Sequence, residues 1–376
     1  MKMTQMIFPD LLLYLLFICD HLWLSSSLQD IITPYKNSHP IEEPMDKLRI
    51  GVIGYGFMGK MHANIFSSLP QAELVAVSDL DSSRFESTRL PGVDFYPDFK
   101  DLLNRQDINA VSICVSDKNH FEPAMLAARA GKTILLEKPI ALDLGEARQI
   151  VQAARQAGVT LMIGFLLRFD PRYAGVKDLL DQGQLGEPVY IHARRNSPKS
   201  EGPARYRGST PLLFHVTIHD LDLIFWYLNK KVKSVYAQSN SKALKAYNME
   251  DSLFAVLRFE DDTLVNLEST WALPEGNASH LDAYMEILGT EGMAKVDCSY
   301  SGLWYSNAAA TLFPDTMHWP QVGDRVSGDL KEELTHFVNC ALAGRAPLVT
   351  GEDGLRSLEL AWAIQKSMDT GEVIKF

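Results

Sequence analysis

The sequence predicts an α/β chain with two parts: an N-terminal doubly wound parallel sheet, then a C-terminal α+β domain with an open, mostly antiparallel sheet. Three observations carry this. Between residues 48 and 165, continuous β-branched runs alternate with helix-like stretches, the pattern of a parallel sheet covered on both faces. Beyond residue 166 the runs alternate and become aromatic, as in a sheet with one buried face. The chain has 376 residues, 46% of them hydrophobic, enough for two domains with their own cores.

The elements follow in order. "LRIGVI" (48–53), "LVAVSD" (74–79), "AVSICV" (110–115), "TILLE" (133–137) and "TLMIGF" (160–165) read as parallel strands. Between them lie helical stretches. Gly131 is the stop signal of one, and Asp143 is a candidate cap for the next. In the second part, "PVYIHARR" (188–195), "VKSVYAQSN" (232–240), "SLFAVLRFE" (252–259), "TLVNLEST" (263–270) and "DAYMEILGT" (282–290) read as strands of one sheet. "EDD" (260–262) and "GTEG" (289–292) read as turns between neighbours. A helix over 211–229 interrupts the strands, and two helices near 330–343 and 352–371 close the chain. The expected division is 1–44 as an extension outside the fold, 45–166 as the first domain and 167–376 as the second.

The net charge of -11 disfavours a nucleic-acid partner, which would need a basic face, and none is expected. Cys19, Cys114, Cys298 and Cys340 are widely spaced and form no C-x-x-C pair, which points to free thiols in a reducing compartment, the cytoplasm. "LLLYLLFIC" (11–19) is too short to span a bilayer as a helix. Residues 1–44 therefore read as an upstream extension or a mis-called start, with a signal or anchor as the alternatives, and no membrane partner is expected.

The first strand runs into "GYGFMG". Gly54 allows a tight turn, Gly56 lets backbone amides approach a pyrophosphate, and Gly59 lets helix and strand pack closely; Phe57 and Met58 lie between them in the same ligand-facing turn. The helix N-terminus then faces the anion. Asp79 ends the second strand, twenty residues after Gly59, placed to accept hydrogen bonds from ribose hydroxyls. A 2'-phosphate there meets a carboxylate, so NAD is expected and NADP disfavoured. This is the fingerprint of a Rossmann domain.

"GVIGYGFMGKMHANIF", "AGKTILLEKPIALDLGEA", "RFDPRY", "GQLGEPVYI" and "HDLDLIFWYL" fall in an order that resembles the Gfo/Idh/MocA family over about residues 46–376. The resemblance implies a Rossmann domain binding a nicotinamide cofactor and a second domain that supplies the substrate pocket. It also implies a homodimer or homotetramer assembled through the second domain's sheet. The implied activity is hydride transfer between the cofactor and a hydroxyl of a sugar, cyclitol or related diol. Glu137, Lys138 and Pro139 form the most specific motif. A lysine at the carboxyl end of such a strand is placed to stabilise a developing alkoxide, and a cis peptide before Pro139 is expected. The resemblance further implies cofactor contacts at Ser116, His120 and Glu137, and substrate contacts at Arg168 and Asp220. Before His120 the chain departs from the family's Thr-Pro-x-x-x-His pattern, since Val115 and Ser116 stand there.

His215, His219 and Asp222 lie at i, i+4 and i+7, one face of a helix. Removing a hydroxyl proton needs a base near neutrality, which an unperturbed histidine provides. His219 matches the family's acid–base histidine. His215 occupies the position where the family has aspartate, so it is a second relay, a substrate contact or a sign of altered chemistry. H-x-x-x-H is also a zinc spacing, but Val216 stands where the zincin motif has glutamate. A lysine electrophile needs no metal, and none is expected.

One loop remains, "RRNSPKSEGPARYRGSTP" (194–211), basic in an acidic chain. Arg205 and Arg207 are its candidate contacts to an anionic substrate, such as a nucleotide sugar, because guanidinium forks suit phosphate and carboxylate. That makes a nucleotide-sugar dehydrogenase the alternative activity. A regulatory NAD-binding protein without turnover is the other.

Overall fold

A computed structural model describes residues 47–88, 90–200, 210–300 and 302–376. All of them lie in the compact unit Asp46–Phe376. Six parallel strands form the first sheet: β1 (Leu48–Ile53), β2 (Ala72–Ser78), β3 (Asp94–Tyr96), β4 (Ala110–Ile113), β5 (Thr133–Glu137) and β6 (Leu161–Gly164), in the order β3-β2-β1-β4-β5-β6. The order reverses between β1 and β4, the switch point where a doubly wound sheet opens a crevice for ligands. β4, β5 and β6 are buried at nearly every residue, as expected of strands covered on both sides. β3 is the strand of this sheet that sequence reading misses. Its three residues, "DFY", are too few for a periodicity to register.

Helices α1 (Phe57–Ser68), α2 (Ser83–Glu86), α3 (Phe99–Leu103), α4 (Phe121–Arg129) and α5 (Leu144–Ala157) link these strands. The expected punctuation is in place. Gly131 follows α4 with a φ of 68°, and the Asp143 side chain caps α5 by accepting from the Glu146 amide at 2.9 Å. A 3₁₀ turn over Leu166–Phe169 leads into α6 (Pro171–Asp181), whose Asp170 cap accepts from the Arg172 amide.

The second sheet has seven strands: β7 (Pro188–Pro198), β8 (Val232–Asn240), β9 (Ser252–Phe259), β10 (Leu264–Leu273), β11 (Asp282–Gly289), β12 (Met293–Asp297) and a C-terminal β17 (Ile374–Lys375). Their order is β12-β11-β7-β10-β9-β8-β17. Only β7 and β10 pair in parallel, so the sheet is mostly antiparallel. The turns at 260–262 and 289–292 join β9 to β10 and β11 to β12. Burial alternates residue by residue along β9 and β11. The remaining strands make two short hairpins, β13 (Tyr305–Ser306) with β14 (Thr311–Leu312), and β15 (Gln321–Val322) with β16 (Arg325–Val326).

The interrupting helix is a π-turn at Leu213–Thr217 that runs into α7 (Ile218–Leu228). Its two acidic residues are both taken up inside the protein. Asp222 receives Arg168, which stands just after β6, through Nε at 2.8 Å and Nη2 at 2.6 Å. Asp220 receives Arg195 of β7 through Nε at 3.0 Å and Nη2 at 2.9 Å. All four side chains are at most 6% exposed. The closing helices α8 (Asp329–Ala343) and α9 (Gly351–Thr370) match the expected pair. Leu330, Leu334 and Phe337 of α8 share a core with Ile50 and Val52 of β1, so this late helix packs against the first sheet.

Removing one member of a buried ion pair strands the other without compensation. Arg168→Ala is therefore expected to cost about 3–5 kcal/mol in chemical denaturation. The double variant Arg168→Met with Asp222→Leu, which removes both charges and keeps the volume, is expected to lose much less.

Candidate active site

A cavity of about 1040 Å³ lies at the carboxyl ends of the first sheet's strands. Its wall brings together Gly54, Gly56, Phe57, Met58 and Asp79 from the first two strand–helix turns with Ser116, Glu137 and Lys138 from β4 and β5. His215 and His219 reach the same wall from the π-turn and α7.

The glycine turn fits a dinucleotide for three separate reasons. Gly54 has a φ of 91°, and a Cβ there would meet Cys114 and Val115 backbone atoms at 2.7 Å. A Cβ at Gly59 would lie 1.8 Å from the Gly54 carbonyl oxygen, so this glycine sits under the turn and lets α1 pack onto β1. At Gly56 the nearest atom to such a Cβ is 3.8 Å away, which leaves the turn open on the cavity side. Asp79 is held by the Tyr55 amide at 2.7 Å and the Asp81 amide at 2.9 Å, with Arg84 3.2 Å from it. Gly54 and Gly56 would cradle the pyrophosphate of a bound NAD, with Gly59 supporting the turn from below, and Asp79 would meet its ribose hydroxyls.

The peptide between Lys138 and Pro139 is cis. Lys138 donates from Nζ to the His215 carbonyl oxygen at 3.0 Å, a direct bond from β5's end to the π-turn. The His219 ring packs edge-on to Phe165 with centroids 6.1 Å apart. Its Nδ1 is buried without a hydrogen-bond partner among the described residues. Burial, then the charges of Lys138 and Arg195, hold the imidazole well below its ordinary range. The expectation of an untuned histidine is thereby corrected: His219 stands in the neutral, proton-accepting form.

Other expected residues are placed elsewhere. Asp222 lies about 60° round the helix from His219 and is turned to Arg168, so it does not join the two histidines as a ligand set. Arg168 and Asp220, expected to touch substrate, do not line the cavity; both are buried in the ion pairs that fasten α7. His120 is fully buried with its ring nitrogens 2.8 Å from the Pro139 and 3.2 Å from the Val115 carbonyl oxygens, supporting the cavity wall from behind. The basic loop begins later than expected. β7 extends to Pro198, so Arg194 and Arg195 are strand residues paired with Asp282 and Asp220. Arg205 and Arg207 lie outside the described residues.

Among the wall residues that escape sequence reading are Trp319, Thr210 and Arg84. Trp319 meets Phe57 edge-on, with centroids 5.8 Å apart. Thr210 donates to Asp117 at 2.8 Å across the cavity mouth. Arg84 follows Asp79 by five residues, a spacing that signals little by itself. Asp170, His318 and Asp329 also gather within 4.8 Å of one another, but Arg172 already forks onto Asp170, and His318 lies 2.7 Å from Asp329.

A glycine-turn cavity that also holds a lysine and a neutral histidine defines an NAD-binding oxidoreductase. A family model described as "Oxidoreductase family, NAD-binding Rossmann fold" matches residues 48–165, and "GFO/IDH/MocA C-terminal domain" matches 173–295. The chain belongs to the GFO/IDH/MocA oxidoreductase family. It is similar to the myo-inositol 2-dehydrogenase of Thermotoga maritima, 28% identical over 87% of this chain and 98% of the relative. It is also similar to the scyllo-inositol 2-dehydrogenase (NAD(+)) of Bacillus subtilis, 29% identical over 86% of this chain and 95% of the relative. Among solved structures, scyllo-inositol dehydrogenase from Lactobacillus casei with bound NAD(H) and scyllo-inositol superposes with a TM-score of 0.77 at 27% identity, covering 88% of this chain and 99% of that one.

Asp79→Ala is expected to weaken NAD binding and relax discrimination against NADP, because Arg84 is then left facing the 2'-phosphate without its carboxylate. Fluorescence titration of both cofactors checks this. An unaltered protein that binds NADP more tightly than NAD contradicts it.

Proposed function

We propose that the protein is an NAD-dependent dehydrogenase of a polyol, either a cyclitol or a sugar, with Lys138 and His219 as its catalytic residues. The observation that carries this reading is that both side chains line one cavity with the glycine turn and Asp79. The inositol dehydrogenases among its relatives and structural neighbours support the substrate class.

Bound NAD supplies the hydride acceptor. His219, neutral because it is buried beside Lys138 and Arg195, takes the hydroxyl proton as general base. Lys138, fixed by the His215 carbonyl, presents its ammonium to the oxygen that becomes an alkoxide. His215 lines the cavity as a substrate contact, in the place of the family's aspartate. In this reading residues 45–166 hold the cofactor and most of 167–376 shapes the substrate end. Arg205 and Arg207 are the support for a nucleotide-sugar substrate instead.

The open face of the second sheet supports a homo-oligomer. Tyr236, Phe254, Val256 and Leu264 stand exposed on β8, β9 and β10, an apolar patch of the kind subunit contacts cover. Cys114, Cys298 and Cys340 are free thiols, which supports a cytoplasmic location. No helix among the described residues is long and apolar enough to cross a membrane.

Lys138→Ala and His219→Ala are each expected to lower polyol-dependent NAD reduction by about 10²–10⁴-fold, the range for a lost acid–base group or alkoxide stabiliser. His219→Ala is expected to leave NAD affinity nearly unchanged. Near-normal turnover by the His219 variant with a panel of inositols and sugars contradicts the assignment.

A further inference from the structure

Beneath the cavity wall lies a group of titratable side chains that the proposed mechanism does not use. Glu333 of α8 is fully buried, and neither of its carboxyl oxygens has a hydrogen-bond partner among the described residues. His62 of α1 is also fully buried. Its Nδ1 lies 2.7 Å from the Ser112 hydroxyl and its Nε2 3.2 Å from Glu137 Oε1. Glu137 itself reaches the cavity wall next to Lys138.

The charges acting on Glu333 come from four elements: Glu137 on β5, His62 on α1, Asp329 on its own helix and Asp222 on α7. Burial first, then Glu137, push Glu333 well above the carboxylate range. Burial opposes charge on Glu137, but His62, Lys138 and His120 hold it below its ordinary value. Burial likewise opposes charge on His62, while Cys114 and Glu137 favour it, and the net direction is upward. His62 and Glu333 lie on helices that pack together, with the Phe66 and Phe337 ring centroids 6.5 Å apart in a shared core, and two carboxylates in so dry an interior do not both ionise easily. The group therefore stores a proton on Glu333 that a nearby positive charge would help expel.

The cofactor offers such a charge. The nicotinamide ring is cationic when oxidised and neutral when reduced, and the wall formed by Glu137 and Lys138 is where the reacting end must sit for Lys138 and His219 to act. We propose that Glu333, Glu137 and His62 form a buried proton-linked sensor of the cofactor's redox state, holding a proton more tightly beside NADH than beside NAD. Binding of the oxidised cofactor breaks the Glu333 O–H bond and releases the proton to solvent; no electron moves within the group. The inference rests on the reading of the cavity as a cofactor site.

The test is the dissociation constant of NAD and of NADH, measured by titration without substrate from about pH 5 to about pH 9 in the wild type and in Glu333→Gln. In the wild type, rising pH is expected to shift the ratio towards NAD by up to about tenfold per pH unit within the titration range. Glu333→Gln is expected to flatten that component. Comparing the two proteins cancels the contribution of His219, which is present in both. The same pH dependence in both proteins, or a flat ratio in the wild type, overturns the proposal. His62→Gln is the second variant and is expected to flatten the same curve; a curve it leaves unchanged overturns the proposal too.

Melting of the cofactor-free proteins gives a separate readout. A carboxyl whose folded pKa is raised contributes stability that is complete below its unfolded pKa and is lost as pH rises through the folded one. Glu333→Gln is therefore expected to melt like the wild type near pH 4.5 and above it as pH rises. A variant that melts lower at every pH overturns the proposal. If neither cofactor binds at any pH, the cofactor reading itself falls; binding without the pH linkage sinks only the sensor.

Discussion

Helix α7 is held by two buried arginine forks. Asp220 and Asp222 both follow His219 along the chain and are drawn to different supports, Arg195 in the second sheet and Arg168 beyond the last strand of the first. Each aspartate gives both oxygens to one guanidinium, so the helix has little freedom to roll. Arg168 also donates to the Leu348 carbonyl oxygen at 2.9 Å and lies 3.3 Å from Asp353 at the start of α9, which extends the brace to the closing helix. Such pairs add little net stability compared with apolar packing, but they define one orientation. That orientation puts His215 and His219 at the cavity, and Lys138 completes it through the His215 carbonyl.

The same principle governs the interior beneath the cofactor turn. Few charges there are solvated, so each is set by its neighbours. Burial, then Lys138 and Arg195, keep His219 neutral, His62 favours charge on Glu137, and burial, then Glu137, disfavours charge on Glu333. A site built this way runs acid–base chemistry with ordinary side chains by pushing their protonation equilibria apart.

Much of this was legible in the sequence. The glycine spacing, the strand runs and the Glu-Lys-Pro motif are local signals, and each names a backbone geometry that only those residues satisfy. The two histidines were legible for the same reason, being four apart on one helix. What was not legible depends on which side of an element meets which neighbour. Arg168 and Asp220 carry charges that suit a ligand equally well, and only the packing shows that each already has a partner. Asn196, Ser197 and Pro198 read as loop because β7 runs three residues past its apolar pattern. Trp319 and Glu333 come from the far end of the chain, and no spacing links either to the turn or motif it approaches.

In the proposed reading, the cavity passes a hydride from a polyol carbon to NAD. Polyols deuterated at their carbinol carbons, incubated with the enzyme and NAD, test it directly by mass spectrometry of both products. Deuterium is expected in the reduced cofactor, with a ketone in its place on the polyol. Unchanged polyol with the cofactor bound but unlabelled, across the inositols and common sugars, would contradict it.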